Sequence, residues 1–352
     1  MTIHYRNTKK RSTNVRDIHF RRWAARGALK MYWNIAPAKA EGFVKNNFFK
    51  PAEYRTTDEE NRLLGIGSKF QINVHEKTIQ GWKWGEGPAI LLVHGWNGRG
   101  IQFFKFFELI RQAGFAIITF DAPAHGESSG TTSSYFEWTD TVREFLNPQN
   151  GFDIRGIIGH SLGGSAVINA LSKENAAVPC ALIAPALKLT DIMLNTFRMY
   201  GIPAVIYAKV IEDYEHRFGY TLEGDNPADL IPGINTDLLI VHDRLDETVP
   251  FSDSQECAGV LPRVRLHSTS GLGHKRILKD RKMIELITEY FIKQRKAASL
   301  SEHRRKPLIA SKISGKHMEI CRTWPENCSY LNMEQHGMKC IHRDTFVKES
   351  TG

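Results

Sequence analysis

Six short apolar runs, separated by segments with helical periodicity, constrain the fold of this chain most strongly. The runs are Ala89–Val93, Phe115–Phe120, Ile154–Ile158, Cys180–Ala184, Leu238–Val241 and Val264–Leu266. Such runs are typical of parallel strands that are buried on both faces. The intervening segments, such as the one from Phe103 to Ile110 that stops before Gly114, have the spacing of crossover helices. The alternation predicts an α/β fold with a mostly parallel central sheet and helices on both faces.

Two further features extend this prediction. The alternating segment Phe70–Val74 and the turn at residues 85–87 predict an antiparallel pair of strands at the edge of the sheet. About fifty residues separate Ala184 from Leu238, which is too many for a simple crossover. Because this interval is apolar, aromatic and broken by prolines, we expect a helical cap insertion at about residues 185–236.

The charge distribution divides the chain into three parts. Residues 1–66, a basic and partly helical N-terminal extension, contain 14 Lys and Arg against 6 Asp and Glu. The α/β domain, residues 67–295, has 23 against 26, and the Cys- and His-containing tail, residues 296–352, has 10 against 6. A surface that binds nucleic acid should be basic across the folded body, so the acidic middle predicts no nucleic-acid partner.

The cysteines and the apolar segments bear on the cellular compartment. The chain has five cysteines, and only Cys180 and Cys257 precede residue 300, which does not form a disulfide framework. No window approaches the length of apolar sequence that spans a bilayer, and the first thirty residues are rich in Arg and Lys. These patterns predict a soluble, cytoplasmic protein without a secretory signal.

The strongest chemical signal is a Gly-x-Ser-x-Gly motif at residues 159–163, placed between the run Ile154–Ile158 and a helical segment. A serine on a sharp turn from strand to helix needs small residues around it, because a larger side chain would collide with the neighbouring backbone. The turn exposes the hydroxyl of Ser161, and the helix N-terminus favours negative charge beside it. We therefore predict that Ser161 is a nucleophile.

A serine nucleophile requires a base and an acid, and in this arrangement the acid and then the histidine follow the serine along the chain. His274 follows the last apolar run and is the predicted base. Asp246 follows the preceding run and is the predicted acid, with Asp243 and Glu247 as competitors in the same loop. Asp246 is preferred because it lies deeper in that loop, whereas Asp243 is expected to form turn hydrogen bonds.

The oxyanion of an acyl-transfer intermediate needs two N–H donors. Leu162, the residue after the nucleophile, and Trp96, in the loop after the first central strand, are the predicted donors. Gly95 lets that loop approach the substrate closely. His94 and His160 are expected to be structural histidines, since a histidine against the sheet is more often a hydrogen-bonding strut than a second base.

Another group of residue types that are common in catalysis is found in one short segment. Asp121, His125 and Ser128 crowd into a single turn after the run Phe115–Phe120. Their proximity favours a local hydrogen-bonded loop over a second triad.

Several motifs in this order resemble the α/β-hydrolase superfamily over about residues 67–295. They are the His94–Gly95 loop, the Asp-x-Pro-x-His-Gly-x-Ser segment from Asp121 to Ser128, the Gly159–Gly164 motif, Asp246, and the Gly-Leu-Gly-His segment that ends at His274. The chain is similar in particular to bacterial serine hydrolases that share these segments, a group whose members are mostly of unknown substrate. The resemblance implies the fold and a serine-based apparatus. Ser161 argues against the dehalogenases and epoxide hydrolases, which have aspartate there, and against dienelactone hydrolases, which use cysteine.

These observations predict a serine hydrolase, without a cofactor, that cleaves small-molecule carboxylic esters of small or medium apolar acyl groups through an acyl-enzyme on Ser161. Thioesters are an alternative substrate class for the same triad. A catalytically idle hydrolase fold that binds a ligand or a partner protein is the alternative from another class. Apolar cap residues are predicted to form a roof over the serine: Met193, Phe197, Tyr200, Ile206 and Tyr207.

The two ends of the chain give weaker signals. Aromatic and basic residues alternate between Asp17 and Pro37, which predicts an amphipathic helix that packs on the core or on a second subunit. The alternative is peripheral contact with an anionic membrane. The tail contains ligand types that zinc prefers, although their spacing is not that of a common zinc finger. These candidate ligands are Cys321, Cys328, His336 and Cys340.

Overall fold

A computed structural model describes residues 27–305 and three strands in the tail, with side chains described over residues 27–300. The chain divides into two compact units, of which the first ends at Ile292 and the second begins at Lys293.

The first unit contains an eight-stranded sheet. Its strands are β1 (Ser68–Val74), β2 (Lys77–Trp84), β3 (Ala89–Val93), β4 (Ala116–Phe120), β5 (Ile154–His160), β6 (Cys180–Ile183), β7 (Leu238–Asp243) and β8 (Val264–Thr269), in the spatial order β1-β2-β4-β3-β5-β6-β7-β8. Strands β3 to β8 are parallel, and β1 and β2 form an antiparallel pair at one edge. The predicted α/β fold and the predicted edge pair are confirmed.

Three strands are longer than the apolar runs that predicted them. β5 continues to His160, β7 to Asp243 and β8 to Thr269. These polar residues stay in the sheet because the pairing continues, with His160 opposite Ile183 and Asp243 opposite Thr269. The strand ends therefore deliver polar side chains to the carboxyl edge of the sheet, where open α/β sheets build their sites.

Helices cover both faces of the sheet. They are α1 (residues 27–35), α2 (Pro37–Phe48), α3 (Asp58–Ile66), α4 (Phe107–Gln112), α5 (Tyr135–Leu146), α6 (Leu162–Glu174), α7 (Leu189–Met199), α8 (Ala204–Phe218), α9 (Pro227–Leu230), α10 (Phe251–Val260), α11 (Gly273–Arg276) and α12 (Arg281–Arg305). Successive residues of β3 enter different cores, since Leu91 packs with residues of α5 and α6 whereas Ile90 and Leu92 pack with residues of α4 and α12. The crossover predicted around Phe103 begins as a 3₁₀ turn, Gly100–Phe106, before α4.

The interval between β6 and β7 contains the helices α7, α8 and α9, in agreement with the predicted cap insertion. Two of the five residues predicted to form a roof over Ser161 have no free surface for a substrate. Phe197 and Ile206 are fully buried, and the Phe197 ring lies 3.9 Å from that of Phe48 and 4.8 Å from that of Tyr207. Tyr200 is 66% exposed. The cap residues pack with α2, a contact between distant segments that the sequence pattern did not reveal.

The described part of the predicted N-terminal amphipathic helix lies in α1. Leu29 and Trp33, one turn apart, pack against the core, whereas Met31 and Ile35 are exposed. This arrangement agrees with the packing interpretation. The residues up to Arg26 lie outside the described part of the chain, so contact with a membrane stays a prediction. In the described residues, no helix has both the length and the apolar character needed to cross a bilayer.

The second unit contains a small antiparallel sheet of β9 (Met318–Ile320), β10 (Met338–His342) and β11 (Thr345–Glu349), in the order β10-β11-β9. Cys321, Cys328 and His336 lie outside the described residues, and the side chain of Cys340 is not among those described. The zinc hypothesis stays a prediction.

Candidate active site

Ser161 occupies the turn between β5 and α6 with φ 53° and ψ −125°, a backbone conformation that L residues rarely adopt. A Cβ added to Gly159 would lie 2.7 Å from the Gly164 Cα, and one added to Gly163 would lie 2.2 Å from the His94 carbonyl oxygen. Only glycine fits at these two positions. The strained conformation and its glycine requirement agree with the predicted sharp turn.

Hydrogen bonds hold this turn in place. The Ser161 N–H donates to the Ile183 carbonyl at 3.0 Å, and the Ser161 carbonyl accepts from the Gly164 N–H at 2.9 Å. The loop after β3 lies against the turn, because a Cβ on Gly95 would stand 3.0 Å from the Ser161 Cβ. Ser161 itself is 9% exposed, so it lies in a recessed site.

The predicted acid and base meet each other. The His274 Nδ1 lies 2.7 Å from the Asp246 Oδ2, and since an ionised carboxylate can only accept, the ring donates its Nδ1–H. The other carboxylate oxygen accepts the N–H groups of Thr248 at 2.7 Å and Val249 at 3.0 Å. This arrangement leaves the His274 Nε2 as the unprotonated nitrogen of the neutral ring.

The environment keeps Asp246 ionised. Burial by itself raises the pKa of this fully buried carboxyl, but hydrogen bonds from His242, His274 and the Val249 N–H together hold the pKa well below its usual range. A carboxylate in this state can stabilise an imidazolium at His274.

His160 links this pair to the serine. The His160 Nε2 lies 3.1 Å from the His274 carbonyl oxygen, and the two rings lie 4.7 Å apart. Because His160 directly precedes Ser161, these contacts bring the predicted base next to the predicted nucleophile. In the described residues, the Ser161 hydroxyl forms no hydrogen bond with the His274 ring, and such contacts are often loose before substrate binds.

The two competing acids have other positions. Asp243 is buried and accepts from the Leu245 N–H at 2.9 Å, the Leu272 N–H at 2.9 Å and the Thr269 hydroxyl at 2.6 Å. Burial raises the pKa of Asp243, but these donors outweigh burial and lower it to about 2. Asp243 thus ties the acid loop to the loop that precedes His274. Glu247 is exposed.

The predicted oxyanion donors lie on the two segments that meet at Ser161, the start of α6 and the loop after β3. Leu162 is the first residue of α6, and Trp96 lies in the loop after β3. Within the described part of the chain, neither backbone N–H donates to a protein acceptor. The next N–H, that of Asn97, donates to the His125 Nε2 at 3.3 Å and so fixes the loop.

His94, which is predicted to be structural, is buried near a second buried histidine, His125. The His94 Nε2 accepts from the Ala122 N–H at 2.9 Å, and its Nδ1 donates to the Gly95 carbonyl at 2.8 Å. Burial lowers the pKa of His94 to about 4 and, together with nearby His94, that of His125 to about 3. Both rings are therefore neutral near pH 7.

The group Asp121, His125 and Ser128 forms a local hydrogen-bonded loop, as predicted. Asp121 accepts from Arg99 at 2.7 Å and from the Gly100 N–H at 3.0 Å. The Ser128 hydroxyl donates to the Asp121 backbone carbonyl, and the His125 Nδ1 donates to the Pro123 carbonyl. No hydrogen bond joins the three side chains to one another in the described part of the chain.

Sequence reasoning missed two polar neighbours of the site. His242 lies 3.4 Å from the Asp246 Oδ2 through its Nε2 and 2.7 Å from the Ser254 hydroxyl through its Nδ1. Its place directly after the run Leu238–Val241 could have identified it. Gln102, whose amide lies 3.3 Å from the His160 Nδ1, has no sequence signal because it sits among the apolar residues of the turn after the β3 loop.

Comparisons with known proteins bear on the family and the fold of this chain. Two curated relatives are the sn-1-specific diacylglycerol lipase ABHD11 of Mus musculus, 30% identical over 90 residues or 25% of this chain, and the lysophosphatidylserine lipase ABHD12 of Bos taurus, 24% identical over 227 residues or 58% of this chain. The chain spans only 29% and 55% of the lengths of these relatives.

Among solved structures, the Pyrococcus furiosus esterase Pf2001 is 19% identical, with a TM-score of 0.53, and the match covers 69% of this chain and 98% of the esterase. Similarity at this level supports the fold. The sequence also matches the alpha/beta hydrolase family over residues 90–276, more than half of the chain. With the strained serine turn and the sheet order described above, this match shows that the chain belongs to the alpha/beta hydrolase family.

Proposed function

We propose that this protein is a serine hydrolase that cleaves carboxylic esters of small or medium apolar acyl groups, with Ser161 as nucleophile, His274 as base and Asp246 as acid. The observation that carries the proposal is the His274–Asp246 hydrogen bond of 2.7 Å next to the strained turn of Ser161. A buried carboxylate that orients an imidazole beside a serine is the arrangement that activates a hydroxyl for acyl transfer.

In the first half of the reaction, the Ser161 Oγ attacks the ester carbonyl carbon while the His274 Nε2 takes the hydroxyl proton. The resulting oxyanion accepts hydrogen bonds from the Leu162 and Trp96 N–H groups, which have no acceptor within the described protein. The carbon–oxygen bond to the alcohol then breaks, and His274 returns the proton to the leaving alcohol.

In the second half, His274 takes a proton from water, and the resulting hydroxide attacks the acyl-enzyme carbonyl. Collapse of the second oxyanion releases the carboxylic acid, and Ser161 recovers its proton from His274. Asp246 stays ionised throughout, since the donors around it hold its pKa far below neutrality. It stabilises the imidazolium in both halves.

An apolar acyl group suits the surroundings of Ser161. Trp96, in the loop after β3, and Leu162, the first residue of α6, are partly buried and pack on the hydrophobic core next to the serine. Apolar side chains that are only partly covered can gain contact with an acyl chain. The two lipases and the esterase among the similar proteins, by their names, act on esters as well.

A fluorophosphonate probe, which modifies activated serines, tests the proposal together with a panel of p-nitrophenyl esters and the matching acyl thioesters. We expect labelling of Ser161 alone and turnover of esters in preference to thioesters. Preferred turnover of thioesters would identify a thioesterase. Labelling of a different serine would overturn the assignment of the nucleophile, and a folded protein with neither labelling nor turnover would be an idle hydrolase fold.

A further inference from the structure

A chain of two hydrogen bonds joins three distant segments next to Ser161. The Gln102 amide, on the 3₁₀ turn Gly100–Phe106, lies 3.3 Å from the His160 Nδ1, 58 residues away in sequence. The His160 Nε2 then lies 3.1 Å from the His274 carbonyl oxygen, 114 residues further on. The link thus runs from the segment that follows the β3 loop, through the end of β5, to the backbone of the base.

The same two side chains abut the loop that carries Trp96. A Cβ on Gly95 would lie 2.8 Å from the His160 Nδ1, and one on Gly98 would lie 2.3 Å from the Gln102 Oε1. A change in the position of Gln102 or His160 would therefore also displace that loop. The pair therefore contacts both the backbone of the proposed base and the loop that carries one proposed oxyanion donor, Trp96.

The protonation state of His160 fits its partners. A carbonyl oxygen only accepts, so the contact with His274 places the proton on the His160 Nε2 and leaves the Nδ1 to accept from the Gln102 amide. The pKa of His160 is lowered to about 3, mainly by burial and secondarily by the nearby His274. Of the other titratable neighbours, His94 also lowers this pKa and Asp246 raises it. The neutral ring keeps both hydrogen bonds across the physiological pH range.

We propose that Gln102 and His160 are positioning residues, which fix the backbone of His274 and the β3 loop relative to Ser161. The proposal rests on the function proposed above. Asp246 fixes the ring of His274 at the Nδ1, whereas His160 fixes the backbone of His274 at its carbonyl. His274 is therefore held at two separate points. Because Gln102 and His160 are buried, we expect no direct contact with substrate, so their loss should lower kcat and leave KM nearly unchanged. A misplacement of about 1 Å can lower the rate by about 100-fold.

The kinetic test uses three variants and two matched controls. We expect His160→Leu and Gln102→Leu to lower kcat by about 10- to 100-fold, with KM within about twofold of wild type. His160→Gln keeps an amide donor near the position of the Nε2 and should restore most of kcat. His216 and Gln112 are exposed and form neither of these hydrogen bonds, so His216→Leu and Gln112→Leu should behave like wild type. Wild-type kcat in both His160→Leu and Gln102→Leu would overturn the proposal.

A second measurement needs no turnover. In protein labelled with ¹⁵N-histidine, we expect the His160 ring to be the neutral Nε2–H form from pH 5 to 9, and Gln102→Leu to shift its Nδ1 resonance. The Nδ1–H form, or titration near the ordinary histidine pKa of about 6.5, would overturn the link even if the protein is an esterase. If the expected resonances appear in a protein that labels no serine, the link stands and the proposed function fails. This readout also decides the case if His160→Leu does not fold.

Discussion

The molecule contains two sets of serine, histidine and aspartate that differ in how they are held. The first set, Asp121, His125 and Ser128, lies within one loop, and each side chain bonds to backbone or to Arg99. In the second set, Ser161, Asp246 and His274 come from three loops at the carboxyl edge of the sheet, and Asp246 and His274 bond to each other.

The difference is one of unused hydrogen-bonding capacity. The side chains of the first set form hydrogen bonds with the backbone of their loop or with neighbouring residues. In the second set, the His274 Nε2 and the two candidate oxyanion N–H groups have no acceptor or donor in the described protein. Residue types alone therefore do not separate the two sets, whereas the strain at Ser161 and the unsatisfied groups around it do.

The largest expected effect separates the two serines. Ser161→Ala should lower kcat for ester hydrolysis by about 10⁶-fold, the loss typical of a removed serine nucleophile, because no other hydroxyl can form the acyl-enzyme. Ser128→Ala removes a hydroxyl that only bonds backbone and serves as the matched control. Ester turnover and fluorophosphonate labelling measure both. Equal losses in the two variants would erase the distinction between the sets.

A smaller effect should separate two neighbouring acids. Asp246→Asn should lower kcat by about 10⁴-fold, since an amide can present its N–H to the His274 Nδ1 and so favour the wrong tautomer. Asp243→Asn removes an acceptor of backbone and Thr269 donors, so it should lower the midpoint of unfolding. Its loss of kcat should be much smaller than that of Asp246→Asn.

Turnover and urea unfolding of these two acid variants, measured side by side, compare the effects. If Asp243→Asn is the variant that abolishes turnover while Asp246→Asn is mild, the assignment of the acid is wrong.

The acid of the local loop should affect stability and leave the chemistry largely intact. Asp121 and Arg99 form a buried ion pair at 2.7 Å, and Asp121→Asn leaves the guanidinium with Glu127 at 3.2 Å as its remaining carboxylate partner. We expect the free energy of unfolding to fall by about 3 kcal/mol, a typical effect of breaking a buried pair. Urea unfolding measures the loss. A variant that keeps its stability but loses turnover would place Asp121 in the catalytic apparatus.

The sequence was informative wherever one segment carried the whole signal. Continuous apolar runs predicted the six parallel strands, and the glycines around Ser161 predicted its turn, because a sharp turn packed against its neighbours tolerates no side chain there. Contacts between distant segments left no such trace. The Gln102–His160 hydrogen bond and the packing of Phe48 on Phe197 each join positions that no local pattern relates.

The smallest expected effect concerns the acyl chain. Each methylene that moves from water into an apolar site contributes about 0.8 kcal/mol, or roughly a fourfold gain in kcat/KM, so activity should rise from acetate toward medium-chain p-nitrophenyl esters and then level off. Charged acyl groups should be poor substrates.

The length at which the gain stops tests how far the cap contributes to the acyl site. Because Phe197 and Ile206 are fully buried, they have no free surface for a substrate. We therefore expect the gain to depend on the partly covered Trp96 and Leu162. Tyr200→Ala, at a cap position that is 66% exposed, should leave the series unchanged and serves as the control. A preference for acetate with a steady decline thereafter would mean that no apolar acyl site adjoins Ser161.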